Sequence, residues 1–112
     1  QIPVDTQILV THGPPLFIGD FVPRDSGTGT EHVGCNDLRE RLRDLPGLLL
    51  HCHGHIHEGY GVRHQDPKSL EVLPGPGTPT FSNASYMDGK YRPVNVPLVY
   101  DVEAGMAPVP VP

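Results

Sequence analysis

Residues 48–57 read LLLHCHGHIH, three leucines followed by histidine at every second position across a single glycine. A short apolar run closed abruptly by glycine is the pattern of a buried strand. Residues 48–53 are therefore expected to form a strand that ends at Gly54. Side chains alternate across a strand, so His51 and His53 share one face and Cys52 takes the other. His55 and His57 fall beyond the glycine, on a loop whose spacing lets both imidazoles point into one pocket. Residues 6–10 (TQILV) form a second β-branched run, which breaks at Thr11-His12-Gly13-Pro14-Pro15. Two strand ends thus each deliver histidine to a loop. Sites in open α/β sheets form at such carboxyl ends, and neutral imidazole ligates zinc, iron or manganese-type ions.

The rest of the chain reads as connecting structure in an α/β fold. Asn36 is a good helix cap, Asp37 and Glu40 suit the positive end of the dipole, and Leu38, Leu42 and Leu45 recur at helical spacing. Asp37 and Arg41 add a pair one turn apart, and Pro46-Gly47 is expected to stop the helix. Further strands are expected at residues 60–63, 80–83 and 98–102. Residues 17–34 are polar and glycine-rich, which reads as a surface loop, and Pro74-Gly75-Pro76-Gly77 as a turn cluster. The Pro-rich end, residues 107–112, is expected to be extended without a packed partner.

Composition bounds the function. A chain of 112 residues holds one small domain at most, and 13 glycines and 14 prolines point to a loop-rich one. A formal charge of −5 argues against an extended nucleic-acid surface, although a single phosphate ester at a metal is not excluded. No apolar run approaches the ~20 residues of a membrane span, and the start carries no signal-peptide pattern. Two cysteines are too few for a disulfide framework, so a reducing, cytoplasmic setting is the default.

Thr11-His12-Gly13-Pro14 followed by Gly54-His55-Ile56-His57 resembles the last two motifs of the calcineurin-like metallophosphoesterases. The longer string Gly54-His55-Ile56-His57-Glu58-Gly59-Tyr60-Gly61 is similar to the small class III metallophosphodiesterase branch. Val33-Gly34-Cys35, Phe81-Ser82-Asn83-Ala84-Ser85 and the segment from Arg92-Pro93 to Tyr100-Asp101 agree with that branch too. The resemblance implies the C-terminal half of a four-layer αββα sandwich over residues 1–103, with residues 104–112 a disordered tail. It implies a binuclear hydrolase of small phosphate esters with two divalent ions, manganese, iron, zinc or nickel, in the complete enzyme. In such an enzyme a hydroxide held by the ions would attack phosphorus. His12 and His55 would bind one ion and His57 the other.

The family's Asp-x-His, Gly-Asp and Gly-Asn-His motifs precede these residues, and the chain starts at Gln1. The expectation is an incomplete sequence whose partner is the missing N-terminal half of the same domain. That half would also hold the catalytic histidine, so the 112 residues alone are expected to be inactive and poorly folded. A non-catalytic remnant and a small His-rich metal-binding module are the alternatives. Both a buried structural role and a site role are open for His51. A hydrogen-bonded core position is expected for His53, and solvated loop positions for His32 and His64. Glu58 reads either as a support for a ligand histidine or as a surface carboxylate, Cys52 as a small core hydrophobe, and Asn83 as structural, not a glycan acceptor.

Overall fold

The computed structural model describes residues 1–75 and 78–111. Its strands are β1 (Ile8–Val10), β2 (Phe21–Pro23), β3 (Thr30–His32), β4 (Leu50–His53), β5 (Gly61–His64), β6 (Thr80–Asn83), β7 (Val99–Asp101) and β8 (Val109–Val111). One helix, α1 (Asn36–Leu42), precedes β4, and a 3-10 turn spans His57–Gly59. The main sheet has the order β1-β4-β6-β5. β4 runs parallel to both β1 and β6, while β5 is antiparallel to β6. The fold is mixed α/β and compatible with a fragment of a metallophosphoesterase sandwich.

The two central strands carry the burial. Every residue of β6 is buried, as are Leu50, His51 and His53 of β4, which fits strands covered on both faces. The core consists of Ile18, Leu42, Leu45, Leu48 and Phe81, with Ile2, Leu9, Leu38 and Leu70 packed against it. The expected strands are present, with shifted ends at all but residues 80–83. Leu48 and Leu49 stay outside β4 although both are buried, and the N–H groups of Leu49 and Leu50 both donate to the Gln7 carbonyl.

The helix differs at both ends. Its cap is Cys35, whose Sγ accepts from the Leu38 N–H, and Asn36 is the first helical residue. Cys35 is held extended because its N–H donates to the Pro14 carbonyl, and Gly34 lies so close that a Cβ there would clash with the Pro15 carbonyl. At the other end the helix stops at Leu42, and Asp44 and Leu45 continue in tighter i to i−3 bonds. Pro46 explains this, since proline pushes the residue before it out of the helical region. Leu45 still reaches the core from that turn.

Residues 17–34 lie at the surface from Phe21 to Val33, all exposed but Val22, yet they are not an irregular loop. β2 and β3 pair as a hairpin, and Ile18, Gly19 and Asp20 before it are buried. Asp20 organises the segment: its carboxylate accepts from the N–H groups of Phe17 (3.0 Å) and Gly34 (2.9 Å) and meets His32 Nδ1 at 2.6 Å. Three partners satisfy a carboxylate that would otherwise be costly to bury. His32 is exposed as expected but lies in β3 and not in a loop, and it stands edge-on to Phe17 and Phe21. His64 is likewise in β5, with Nδ1 3.4 Å from the Thr80 hydroxyl. Near the end, β8 pairs antiparallel with β7, so residues 109–111 have a partner where none was expected. Pro76 and Gly77 of the expected turn, and Pro112, lie outside the described residues.

Candidate metal centre

Parallel pairing puts the carboxyl ends of β1, β4 and β6 on one edge of the sheet. The ladder continues past the strands: Thr11 N–H donates to Cys52 O (3.0 Å), Gly54 N–H to His12 O (2.9 Å) and Ala84 N–H to His53 O (2.8 Å). These bonds tie the two histidine loops together at the backbone. Their imidazoles meet, with the His12 and His55 ring centres 4.5 Å apart and their planes tilted by 37°. Two imidazoles sharing one ion at about 2.0–2.1 Å per nitrogen hold their ring centres about 5 Å apart. The observed pair fits that requirement.

His55 stands in an uncommon backbone state. Its φ is 66°, and the Ile56 N–H donates to the Gly54 carbonyl across it at 2.7 Å. This is a γ-turn of the rare positive-φ kind, strained for any residue with a side chain. Asn83 holds the next peptide in place. It is fully buried at the end of β6, donates from Nδ2 to Ile56 O (2.8 Å) and accepts the Ser85 N–H (2.9 Å). Both ends of its amide are occupied inside the protein, which excludes a glycan there.

His57 opens the 3-10 turn and faces the Tyr91 ring edge-on at 5.2 Å. His55 and His57 line one cavity of about 300 Å³ with Val22, Glu58, Gly89 and Tyr91. On its other side His55 borders a cavity of about 410 Å³ with Thr11, Pro14 and Leu38. Among the described residues, no group of three or more histidine, cysteine, aspartate or glutamate side chains converges closely enough to hold a metal ion. Glu58 is exposed beside Gly89, so the surface-carboxylate reading describes it. Val22 and Tyr91 line the site without having been singled out from sequence. The hairpin carrying Val22 was hidden by glycine and serine, and Tyr91 directly precedes the Arg92-Pro93 string.

Gly59 closes the 3-10 turn where a Cβ would lie 2.6 Å from the Gly19 carbonyl and 3.0 Å from Asn83 Nδ2. Backbone on one side and a fully engaged amide on the other leave no room to yield. Gly59→Ala is expected to cost about 1–3 kcal/mol, as overpacking does. A lowered denaturation midpoint shows this, and an unchanged midpoint would mean the turn repacks freely.

Behind the loops, His51 and His53 share one buried face of β4 as expected, with ring centres 5.2 Å apart. Thr11 Oγ1 donates to Gly13 O, so its contact with His51 Nε2 (2.8 Å) is donated by the ring, which leaves Nδ1 bare. The His51 and His53 Nδ1 atoms have no hydrogen-bond partner, and the hydrogen bond expected of a core His53 is the one it makes to the Gly54 backbone. Burial, then repulsion from His53, lowers the His51 pKa to about 3. Burial, then the Arg63 guanidinium, lowers that of His53 to about 4. Half-buried Cys52 has its thiol pushed up by the same burial.

Both histidines are neutral when folded and gain a proton near pH 6.5 when unfolded. Their contribution to stability is complete above about pH 6.5 and is lost as the pH falls toward 4 and then 3. The slope is at most about 1.4 kcal/mol per pH unit for each histidine. Urea midpoints between pH 7 and 4 are expected to drop steeply in the native protein and less steeply in His53→Leu. Equal slopes would contradict the assignment.

No family profile matches the sequence. Metallophosphoesterase domain-containing protein 1 from Homo sapiens is 41% identical over 101 residues, which is 90% of this chain and 26% of that protein. UPF0046 protein C25E10.12 from Caenorhabditis elegans is 32% identical over 102 residues, 91% of this chain and 32% of that protein. The chain therefore spans about a quarter to a third of these relatives. A probable rhamnogalacturonate lyase C from Emericella nidulans is 47% identical over 62 residues, 54% of this chain but 5% of that protein. No helix among the described residues is long and apolar enough to cross a membrane.

Proposed function

We propose, for a chain that belongs to the metallophosphoesterase family, that it supplies His12, His55 and His57 to a two-metal centre hydrolysing small phosphate esters. The observation that carries this is the His12–His55 pair, two imidazoles with ring centres 4.5 Å apart at the carboxyl edge of a parallel sheet. The division of labour implied by the resemblance is that His12 and His55 take one ion and His57 the other. His57 lines a cavity with His55 that His12 does not line, which supports that division. Residues outside this chain complete the coordination. Bound divalent ions of the manganese, iron, zinc or nickel type supply Lewis acidity and an acidified water.

The residues of this chain have separable tasks. His12 and His55 present adjacent donors, fixed by the backbone bonds between their loops. Asn83 holds the Ile56 peptide and thereby the spacing between His55 and His57. His55 presents its ring to His12 from a strained, positive-φ turn. A small metal-binding module is less well supported, because structural zinc takes four convergent ligands and among the described residues not even three converge.

The test is hydrolysis of bis(p-nitrophenyl) phosphate by the full-length protein loaded with manganese. Turnover is expected, abolished by a chelator and restored by added metal. Turnover indifferent to the chelator, or none under any metal, would contradict the proposal.

A further inference from the structure

The loop that carries His12 is fastened on both sides of that residue. The Thr11 hydroxyl donates to Gly13 O at 2.7 Å, which closes a short turn around His12. The same hydroxyl accepts from His51 Nε2 at 2.8 Å, because its one proton is already committed to Gly13. Two bonds thus run from β4 to the residue after His12. His51 is the fixed end of this chain. Its side chain is fully buried, stands edge-on to Phe81 with ring centres 5.7 Å apart, and has His53 beside it on the same face. His51 pairs with Leu9, so its ring reaches Thr11 diagonally, toward the carboxyl edge of the sheet.

The backbone alone does not secure the whole loop. The bonds from Thr11 N–H to Cys52 O and from Gly54 N–H to His12 O hold the His12 carbonyl. The next carbonyl, that of Gly13, is held by the Thr11 hydroxyl. A threonine hydroxyl has three staggered positions, and the ring N–H of His51 selects the one that reaches Gly13 O. Gly13 is also where the anchoring meets the centre. A Cβ there would lie 4.0 Å from His55 Cδ2, so Gly13 adjoins His12 in the chain and packs toward His55 in space.

We propose that His51 is a positioning residue for the metal centre, acting through Thr11 to hold the His12 loop at the spacing from His55 that one ion requires. The inference rests on the two-metal reading above and adds a residue that is not itself a ligand. Losing a group that orients a ligand lowers metal affinity about 10–100-fold, and a group acting through one intermediate belongs at the lower end.

The experiment measures manganese affinity of the full-length protein in two backgrounds. His57→Ala leaves the ion held by His12 and His55, and His12→Ala leaves the ion held by His57. Adding Thr11→Val or His51→Leu is expected to weaken binding about tenfold in the first background and to leave it unchanged in the second. The two changes together are expected to weaken it no further than either alone, because both break one chain of bonds. His51→Gln, whose amide N–H takes the place of the ring N–H, is expected to keep the affinity. Thr11 is only half-buried, so its variant decides the matter even where His51→Leu does not fold. No loss from Thr11→Val, equal loss in both backgrounds, or additive losses from the two changes overturns the inference and leaves the centre standing. So does a His51→Gln variant as weak as His51→Leu. A native protein that binds no manganese removes the centre and the inference together. Selective weakening in a protein that hydrolyses no ester keeps the inference and removes the activity.

Discussion

Replacing His55 with glycine is expected to stabilise the metal-free protein by about 1 kcal/mol and to cut phosphate-ester hydrolysis by at least about 100-fold. The gain arises because His55 occupies φ 66° inside a γ-turn, a state glycine enters without a Cβ clash. The loss arises because the ring that meets His12 is gone. Loss of a residue that merely supports a ligand costs about 10–100-fold, so loss of a ligand costs more. His55→Ala is the control: it loses the activity but keeps the strain, so its stability does not rise. Denaturation is measured without metal, since a bound ion would add its own stabilisation to the native protein alone. A glycine variant no more stable than the alanine variant would mean the turn is unstrained. Retained hydrolysis would remove His55 from the centre.

Asn83→Leu is expected to destabilise the protein by about 2–4 kcal/mol. The change strands the Ser85 N–H and leaves the Ile56 carbonyl only a long bond from Ser85 Oγ (3.4 Å), in a buried place. Leucine matches asparagine closely in size, so unmet hydrogen bonds dominate over packing. The effect extends to function, because the released peptide lies between His55 and His57. Asn95→Leu provides the comparison. Asn95 also donates twice, to Ser85 O and Met87 O, but it is only half-buried and solvent can replace it. Its cost is expected to stay below about 1.5 kcal/mol. Similar midpoints for the two variants in urea would show that the Asn83 bonds are not what orders the loop.

The parallel centre of the fold was readable because its signals are local. Leucines ending in glycine gave β4, and residues 80–83 were placed to the residue. The meeting of His12 with His55 was readable because both leave parallel strands at the same edge. The segment 17–34 was not, because its order comes from one buried carboxylate. Asp20 collects three donors from as far away as Gly34, and nothing in a Gly- and Ser-rich stretch announces that. The same blindness hid Val22, which reaches the cavity only through the hairpin those bonds support. Cys35 displaced Asn36 as the helix cap for a tertiary reason, the close approach of Gly34 to the Pro15 backbone. Tyr91 was not singled out because it reaches the cavity from a positive-φ turn held by Asp88 and Arg92, which no spacing of residues encodes.

The proposed centre is tested most directly by counting metal ions. The full-length protein, its His12→Ala and His57→Ala variants and the double variant are purified with manganese and assayed for bound metal per chain. Two ions are expected in the native protein, one fewer in each single variant and none held tightly in the double variant. Unchanged metal content after both histidines are removed would contradict the assignment of these residues as ligands.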